Sequence, residues 1–263
     1  MNRPKKSLGQ NFLRDEKVLQ KIINISALNA AGFVIEIGPG EGVLTEQLAQ
    51  YAEKVIAIEL DGELVPALAE KFKNNPNVEI IHEDILKINL PELLEKNQPS
   101  TPRAYKVVAN IPYYITSPII RLFLEQTIQP EEIILMIQKE VAERIVAGPG
   151  QGSILSVSVQ YYATAEIMFA VGKQAFFPVP KVDSAVIKII PTRKFDKDQD
   201  KAFFRIVKAG FSAKRKTLLN NLSNSLQLDK SAVEEKLQSL GIAPTARAQE
   251  LSLEKWKEIA SQF

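Results

Sequence analysis

The chain has 263 residues, of which 45% are hydrophobic and 24% charged, a balance typical of globular proteins. It contains no cysteine, which excludes disulfides, thiolate zinc sites and a cysteine nucleophile, and no apolar run approaches the roughly 20 residues that span a bilayer. The basic N-terminus is not followed by an apolar stretch, so we expect no secretory signal, no membrane and a cytoplasmic location.

The net charge of +2 is distributed unevenly along the chain. Residues 1–16 carry a net charge of +2, residues 17–191 one of −5, and residues 192–263 one of +5. An acidic body between basic ends indicates a polyanionic partner bound by the ends. Chance clustering of solvated charges is the alternative explanation.

The first 150 residues alternate between predicted helices and strands. Residues 1–16 are polar and irregular, and Asp15 is a candidate cap for the first helix. Residues 91–104 are expected to form an exposed helix fragment and a loop. This alternation predicts a mostly parallel sheet covered on both faces. The first predicted strand begins at Phe33, and four more cover Lys54–Glu59, Val78–Ile81, Tyr105–Ala109 and Glu132–Gln138. The predicted helices cover Glu16–Ser26, Leu64–Lys73, Ser117–Gln126 and Lys139–Ala147.

The last part of the chain changes from an α/β pattern to a helical one near Pro191. Before that point we expect a stiff loop at Phe176–Pro180, as well as a helix and two strands. These boundaries predict an α/β domain over residues 1–191 and a helical domain over residues 192–263. The elements are a helix at Ser153–Tyr162, strands at Ala165–Val171 and Ala185–Ile190, and helices at Ala202–Phe211, Lys214–Leu226, Ser231–Leu240 and Leu253–Phe263.

A glycine-rich turn follows the first strand of the predicted sheet. Gly38, Gly40 and Gly42 stand at every second position between an apolar run and a helical pattern. Residues without a Cβ allow unusual φ/ψ values and close approach of a ligand to the backbone. A tight strand-to-helix turn without a ligand is the simpler alternative.

Acidic side chains near this turn indicate the class of ligand. Glu59 lies about 20 residues beyond the glycines, where a carboxylate accepts hydrogen bonds from ribose hydroxyls. Glu36 and Glu41 flank the glycines; they would repel a pyrophosphate but suit a cation such as the sulfonium of S-adenosylmethionine. The spacing also differs from the G-x-G-x-x-G fingerprint, so a dinucleotide is disfavoured.

The second motif is Asn110-Ile-Pro-Tyr113, at the end of the fourth strand. An amine conjugated to an aromatic ring is a poor nucleophile because its lone pair is delocalised. The Asn110 carboxamide oxygen and the Ile111 carbonyl can accept its hydrogens and aim the lone pair at a methyl group. Pro112 fixes the turn, and Tyr113 stacks on the base. An Asx-type turn that merely ends a strand is the structural alternative.

Together these motifs resemble the small-subunit ribosomal RNA adenine dimethyltransferases, which use S-adenosylmethionine to place two methyl groups on N6 of adenines near the 3′ end of that RNA. The resemblance covers nearly the whole chain. It rests on Lys6-Ser-Leu-Gly-Gln-Asn-Phe-Leu13, Glu36-Ile-Gly-Pro-Gly-Glu-Gly42, Glu59, Glu83-Asp84, Asn110-Ile-Pro-Tyr-Tyr114, Phe176-Phe-Pro-Val-Pro-Lys-Val-Asp-Ser184, Phe211-Ser-Ala-Lys-Arg-Lys-Thr-Leu218 and Arg247-Ala-Gln-Glu-Leu-Ser252.

The resemblance implies a Rossmann-like, seven-stranded class I methyltransferase sheet with a small all-helical C-terminal domain. The implied product is N6,N6-dimethyladenine at two adjacent adenines of small-subunit (16S) rRNA, with a role in subunit biogenesis. The implied partner is that rRNA, within a partly assembled 30S subunit, and the expected state is a monomer.

The resemblance also implies roles for single residues. Asn11 and Leu13 contact the cofactor, and the Gly38 backbone approaches its methionine portion. The remaining roles are ribose binding by Glu59, contact with the cofactor's adenine amino group by Asp84, contact with both cofactor and target amine by Asn110, and stacking of a flipped adenine between Tyr113 and Phe177.

Basic residues near the C-terminal domain are candidates for phosphate contacts. A basic helical face is predicted from Lys208, Lys214, Arg215 and Lys216, supplemented by Lys5, Lys6 and Arg14 near the N-terminus. A solvated helix face is the alternative. His82, the only histidine, is interpreted as structural, and a metal at Glu83 and Asp84 is disfavoured because neighbours at a strand end point to opposite faces.

Three other functions fit parts of the pattern. A related group methylates an adenine of large-subunit RNA and confers macrolide resistance; the two C-terminal motifs favour the small-subunit group. A non-catalytic RNA-binding or assembly factor on this fold is disfavoured by the intact Asn110 and Tyr113. A nucleotide-dependent oxidoreductase is disfavoured by the glycine spacing.

Overall fold

A computed structural model of the protein describes residues 4–5, 8–28, 32–97 and 105–263. Lys6 and the predicted loop at 98–104 lie outside these ranges. The chain divides into two compact units. The first unit extends to Ala142 and includes Ala165–Pro191, and the second comprises Glu143–Thr164 and Thr192–Phe263. Within the described ranges, no helix is long and apolar enough to cross a membrane.

The main sheet has seven strands in the order β4-β3-β2-β5-β6-β9-β7, which confirms the predicted seven-stranded sheet. The first five strands in this order are parallel, and β9 runs antiparallel to β6. Two further strands, β1 and β8, form a separate antiparallel pair. The bounds are β1 Phe12–Leu13, β2 Phe33–Ile37, β3 Lys54–Glu59, β4 Val78–His82, β5 Tyr105–Asn110, β6 Glu132–Gln138, β7 Ala163–Val171, β8 Phe176–Phe177 and β9 Ser184–Pro191.

The central strands are largely apolar and buried because helices cover both faces of a parallel sheet. All five residues of β2 are buried, and so are Val107–Ala109 of β5. The strand order places β2 between β3 and β5. The chain therefore passes from β2 to β3 on one side, and it later returns to form β5 on the other side of β2. Ligands bind at the carboxyl ends of strands at such a switch point. Gly38 follows β2 there, and Asn110 ends β5.

The helices of the sheet region begin where the sequence supplies caps. Asp15 Oδ1 accepts hydrogen bonds from the backbone of Lys17 and Val18, which confirms its predicted role as a cap. Leu19 and Ile22 lie on the apolar face of the following helix and are buried. The bounds are α1 Glu16–Ser26, α2 Val43–Tyr51, α3 Val65–Phe72, α4 Leu90–Asn97, α5 Thr116–Leu124 and α6 Lys139–Ile145.

The second compact unit is built from five helices among the described residues. Trp256 is fully buried, and a Cβ on Gly210 would lie 2.3 Å from its ring, so only glycine fits there. Trp256 is therefore a packing residue of this unit. The bounds are α7 Ile154–Tyr162, α8 Lys197–Gly210, α9 Leu218–Leu226, α10 Lys230–Ser239 and α11 Leu253–Ala260.

A buried carboxylate accounts for the grouping of Glu143–Thr164 with the C-terminal helices. Asp200 is 3% exposed and accepts hydrogen bonds from the hydroxyls of Tyr161 (3.0 Å) and Tyr162 (2.8 Å). It also pairs with Arg193 at 2.6 Å. Helix α7 is therefore held against α8. The domain boundary predicted from the sequence, between residues 191 and 192, assigned α7 to the sheet domain instead.

The structure differs from the sequence predictions at three local features. The predicted helix Lys214–Leu226 is wrong at its start, because Thr217 caps α9 and the helix begins at Leu218. Lys214–Lys216 consequently lie in a turn. The two segments predicted to be irregular, residues 1–16 and Phe176–Pro180, contain β1 and β8, in which Phe12 pairs with Phe177.

Candidate active site

A cavity lies at the carboxyl ends of the central strands. Its walls come from residues 8–13, 36–41, 43–44, 58–60, 83–85 and 110–115. Nine predicted site residues line it together: Asn11, Leu13, Gly38, Glu59, Asp84, Asn110, Ile111, Pro112 and Tyr113. Phe177 is not among the lining residues, and the four predicted RNA-binding residues belong to the second unit.

The glycine turn forms the floor of this cavity. All three glycines have positive φ, of 65° at Gly38, 60° at Gly40 and 74° at Gly42, so the predicted unusual backbone is confirmed. A Cβ at Gly40 would lie 2.9 Å from the ring of Phe12, and one at Gly42 would lie 2.7 Å from the ring of Phe72. Both conformation and space therefore require glycine at these positions.

Glu59 stands at the end of β3 with its carboxylate fixed by the backbone. Its oxygens accept hydrogen bonds from the Gly40 N–H (3.1 Å) and the Asp61 N–H (2.8 Å). Burial raises the pKa of Glu59, while these N–H groups act in the opposite direction. A carboxylate held in this way presents its remaining lone pairs in a fixed direction, as a ligand for hydroxyl groups must.

Glu36 is a cavity residue to which the sequence analysis assigned no specific contact. It is 1% exposed, and its Oε2 has no hydrogen-bond partner among the described residues. Burial raises the pKa of Glu36 to about 8, against the opposing effect of the nearby Thr45 hydroxyl. In the sequence, the position of Glu36 before the first glycine was the available signal that it belongs to the site. Its burial without a full set of hydrogen-bond partners is visible only in the structure. Glu41, on the other flank, pairs with Arg14 at 2.7 Å.

The side chain of Asn110 is oriented by the N-terminal segment, which we define as Leu8–Arg14. Asn110 Nδ2 donates a hydrogen bond to the carbonyl oxygen of Asn11 at 3.1 Å. The amide oxygen of Asn110 is thereby directed away from Asn11. Among the described residues none donates to that oxygen, which leaves it available as an acceptor.

Tyr113 is held at the cavity by hydrogen bonds at two points. Its hydroxyl lies 2.7 Å from the Ser184 hydroxyl, at the buried start of β9. Its carbonyl accepts a hydrogen bond from Thr116 Oγ1 at 3.1 Å, within the short 3₁₀ turn Tyr113–Ile115. Burial raises the pKa of the Tyr113 hydroxyl. The ring is thus fixed and half-buried, whereas the neighbouring Tyr114 is 59% exposed.

The turn after β4 supplies the acidic wall. Asp84 Oδ1 accepts a hydrogen bond from the Leu86 N–H at 3.0 Å. His82 is exposed and does not line the cavity; a Cβ on Gly62 would lie 3.0 Å from its ring. In the part of the chain that the structure describes, no cluster of three or more His, Cys, Asp or Glu side chains is arranged to hold a metal ion.

Phe177 and the basic residues lie outside the cavity wall. Phe177 is 54% exposed and belongs to β8, opposite Phe12. Lys214, Arg215 and Lys216 lie in a segment that we call the basic loop, Phe211–Thr217, rather than on a helical face. Together with Lys208 on α8 they are exposed and make no ion pair with any described residue.

The basic loop has a defined conformation. The buried Asn221 donates from Nδ2 to the carbonyls of Gly210 (2.6 Å) and Ala213 (3.1 Å). The Lys216 N–H also donates to the Ala213 carbonyl at 3.1 Å. Three consecutive cations are therefore presented on a backbone that is already ordered.

A family model and several curated relatives identify the family of this chain. The family model described as "Ribosomal RNA adenine dimethylase" matches residues 1–263. Proteins named ribosomal RNA small subunit methyltransferase A are similar to this chain: one from Dehalococcoides mccartyi is 47% identical, covering 97% of this chain and 87% of its own length. One from Alkaliphilus oremlandii is 43% identical, covering 98% and 91%.

Two solved structures share the fold over nearly their whole length. A dimethyladenosine transferase from Plasmodium falciparum has a TM-score of 0.78 and 26% identity, covering 96% of this chain and 97% of its own. The 23S rRNA methyltransferase ErmE has a TM-score of 0.73 and 28% identity, covering 96% and 99%. The fold is therefore common to proteins named as a dimethyladenosine transferase and as a 23S rRNA methyltransferase.

The raised pKa of Glu36 predicts a specific pH dependence of stability. The folded protein holds a proton on Glu36 up to pH about 8, whereas the unfolded chain releases it near the ordinary value of 4.5. The contribution of this group to stability is thus complete below pH 4.5 and is lost as the pH rises through 8. The free energy of unfolding should fall by about 1.4 kcal/mol per pH unit across this window because of Glu36 alone.

Urea unfolding of the wild type and of Glu36→Gln at pH 5, 6, 7 and 8 measures this contribution. The difference between the two proteins should grow steadily in favour of the variant as the pH rises. Glu70→Gln is the matched control, because that side chain is 72% exposed and should leave the slope unchanged. A parallel pH dependence of wild type and Glu36→Gln would contradict the assignment.

Proposed function

The chain belongs to the ribosomal RNA adenine dimethylase family, and we propose that it transfers methyl groups from S-adenosylmethionine to N6 of two adjacent adenines near the 3′ end of small-subunit rRNA. The product is N6,N6-dimethyladenine. The observation that carries the proposal is the orientation of Asn110: its amide N–H₂ is engaged by Asn11, and its oxygen is left to accept hydrogen bonds beside the glycine turn.

The cavity fits a cationic nucleoside as methyl donor. Gly38, where a Cβ would lie 4.0 Å from Pro112, leaves space against the backbone, and Glu59 presents a fixed carboxylate for ribose hydroxyls. The unpartnered Oε2 of Glu36 is a partner for a positively charged group, since a neighbouring cation favours the ionised carboxyl. Asn11, Leu13 and Asp84 complete the set of donor-binding residues. When bound, S-adenosylmethionine supplies an electrophilic methyl group on a sulfonium.

The acceptor side of the site is built by Asn110-Ile-Pro-Tyr113. The amide oxygen of Asn110 and the backbone carbonyl of Ile111 accept the two hydrogens of the target amino group, which localises its lone pair on nitrogen. Pro112 fixes this turn. Tyr113, held by Ser184, stacks on one face of a flipped adenine, and the exposed ring of Phe177 stacks on the other. Such stacking offsets the cost of flipping, which is a few kcal/mol.

The reaction requires positioning rather than a general base. Hydrogen bonds that polarise the amine and hold it in line supply the rate enhancement, and the proton leaves to water after transfer. His82 takes no part in this scheme, because it is exposed and does not line the cavity. In the second methylation the nitrogen carries one hydrogen, so only one of these two acceptors is engaged.

The basic loop and Lys208 provide the contacts to the RNA backbone. Four exposed cations that form no ion pair with the described part of the chain are available for phosphates, and an ordered loop loses little conformational freedom on binding. The proposed substrate is small-subunit rRNA in a partly assembled 30S particle, so the protein acts in ribosome biogenesis, in the cytoplasm and as a monomer.

A methyl-transfer assay tests the function directly. We expect tritium from labelled S-adenosylmethionine to enter unmethylated small subunits and to be recovered in N6,N6-dimethyladenosine. Large subunits from the same cells are the matched substrate control. Label in large subunits alone would identify the large-subunit activity instead, and no incorporation into either would contradict an enzymatic role.

Asn110→Ala should abolish turnover, with a loss of at least about 100-fold, because the amine loses its oriented acceptor. RNA affinity should stay nearly unchanged. The control is Asn75→Ala, an exposed asparagine outside the cavity, which should behave as the wild type. Single-turnover rates with small subunits measure the effect, and a normal rate in Asn110→Ala would contradict the role given to this residue.

Reversal of charge in the basic loop should weaken RNA binding and flatten its salt dependence. In the triple variant Lys214→Glu, Arg215→Glu, Lys216→Glu, the slope of log Kd against log[salt] should decrease by about three, one for each lost phosphate contact. The matched control reverses Lys194, Lys197 and Lys201, three exposed lysines of the same unit, with an equal change of net charge. Equal slopes for the two variants would assign the effect to net charge and contradict a specific contact.

A further inference from the structure

Asp61 is a buried carboxylate next to the cavity, and the proposed reaction gives it no role. It is 5% exposed, and it does not itself line the cavity. Oδ1 accepts a hydrogen bond from Lys5 Nζ at 2.7 Å, and Oδ2 accepts one from Gln10 Nε2 at 2.9 Å. Each oxygen therefore holds a different side chain from near the N-terminus.

Lys5 and Gln10 are also connected to each other. The Lys5 N–H donates to Gln10 Oε1 at 2.7 Å, and the Lys5 carbonyl accepts from the backbone N–H groups of Leu8 (3.1 Å) and Gln10 (3.4 Å). Asp61 thus binds two side chains whose relative position is already set. Pairing of this kind costs little additional ordering of the chain.

The backbone of Asp61 contacts a residue that we propose binds the methyl donor. Its N–H donates to Glu59 Oε1 at 2.8 Å, one of the two hydrogen bonds that fix the proposed ribose ligand. Asp61 Oδ1 also accepts from the Glu63 N–H at 3.1 Å, which orders the loop after β3. One residue therefore joins the carboxylate that faces the ribose to the N-terminal segment.

The N-terminal segment connects Asp61 to Asn110, the proposed ligand of the target amine. Gln10, whose amide Asp61 holds, is followed directly by Asn11, and the carbonyl of Asn11 accepts the hydrogen bond from Asn110 Nδ2. The position of Gln10 therefore determines where the carbonyl that orients Asn110 stands. Gln10 and Asn11 both line the cavity.

We propose that Asp61 is a positioning residue that places Gln10 and Asn11 at the edge of the cavity, and so orders the donor-binding Glu59 and the acceptor-binding Asn110 together. The inference rests on the proposed function for its catalytic consequence. The hydrogen bonds of Asp61 itself do not depend on any ligand.

Electrostatics favour Asp61 over its neighbour Glu63 for this role. Burial acts to raise the pKa of Asp61, but the hydrogen bonds from Lys5 and Gln10 outweigh it and hold the pKa below its ordinary value. The carboxylate is therefore ionised at neutral pH. Glu63 also pairs with Lys5, at 3.0 Å, but its side chain is 72% exposed, and exposed pairs contribute little.

The experiment compares Asp61→Asn with the matched control Glu63→Gln, each of which removes one negative charge facing Lys5. Calorimetry with S-adenosylhomocysteine should show a Kd about tenfold higher for Asp61→Asn and within about twofold of wild type for Glu63→Gln. The turnover number should fall in Asp61→Asn while the KM for small subunits stays unchanged, since the RNA contacts lie elsewhere.

Amide hydrogen exchange of the unliganded protein provides a readout that a general loss of stability would not reproduce. In Asp61→Asn, exchange should accelerate at residues 8–13 and remain at the wild-type rate in β2 and β5. Lys5→Met, which removes the cation from the exposed side, should change exchange at the same residues. The reversed pair, Lys5→Asp with Asp61→Lys, should recover part of the lost protection.

Three results would overturn the inference: wild-type affinity with wild-type exchange in Asp61→Asn, equal effects of Asp61→Asn and Glu63→Gln, or faster exchange spread uniformly over the sheet. If Asp61→Asn does not fold, the exchange data for Lys5→Met decide the question. Failure of the wild type to bind S-adenosylhomocysteine would contradict the proposed cofactor; the exchange data, which need no ligand, would still decide the role of Asp61.

Discussion

The hydrogen bond from Asn110 Nδ2 to the Asn11 carbonyl, 3.1 Å long, is the contact on which the rest of the site depends. It fixes which face of the amide is turned towards the cavity, and the proposed chemistry requires the oxygen there. The bond exists only because the N-terminal segment is held in place. That segment is secured by the pairing of β1 with β8, by the ion pair between Arg14 and Glu41, and by the side chains that Asp61 holds.

The topology of the sheet explains why a few residues are enough to form the site. In a parallel sheet with this strand order, the ends of β2, β3 and β5 meet at one edge, so the glycine turn, Glu59 and Asn110 are brought together without any long connecting loop. Gly38 leaves its backbone open to the cavity, whereas Gly40 and Gly42 make room for the rings of Phe12 and Phe72. The buried Glu36 beneath them keeps an unsatisfied oxygen, a cost that a positively charged ligand would relieve.

In the proposed function, the second unit binds RNA and the sheet unit carries the chemistry. Its core is organised by two buried polar groups, Asp200 between two tyrosines and Asn221 beneath the basic loop. Both groups are satisfied by several hydrogen bonds, as buried polar groups must be. The result is a compact scaffold on which Lys208 and the three cations of the basic loop are exposed and make no ion pair with any described residue. The chain is similar both to proteins named for the small ribosomal subunit and to a 23S rRNA methyltransferase, so the shared fold by itself does not identify the RNA.

The amino-acid sequence by itself determined the features that arise from neighbouring residues. Strands β3 and β6 have the predicted bounds, Asp15 caps α1, and the three glycines take the positive φ that their spacing indicated, because apolar periodicity and glycine conformations are local properties. The motif at Asn110 was visible for the same reason. Tertiary structure alone decided the pairing of Phe12 with Phe177, the place of α7 beside Asp200, and the connection of Asp61 to Gln10. These contacts join residues far apart in the chain, and their energies come from burial and from partners that no local pattern contains.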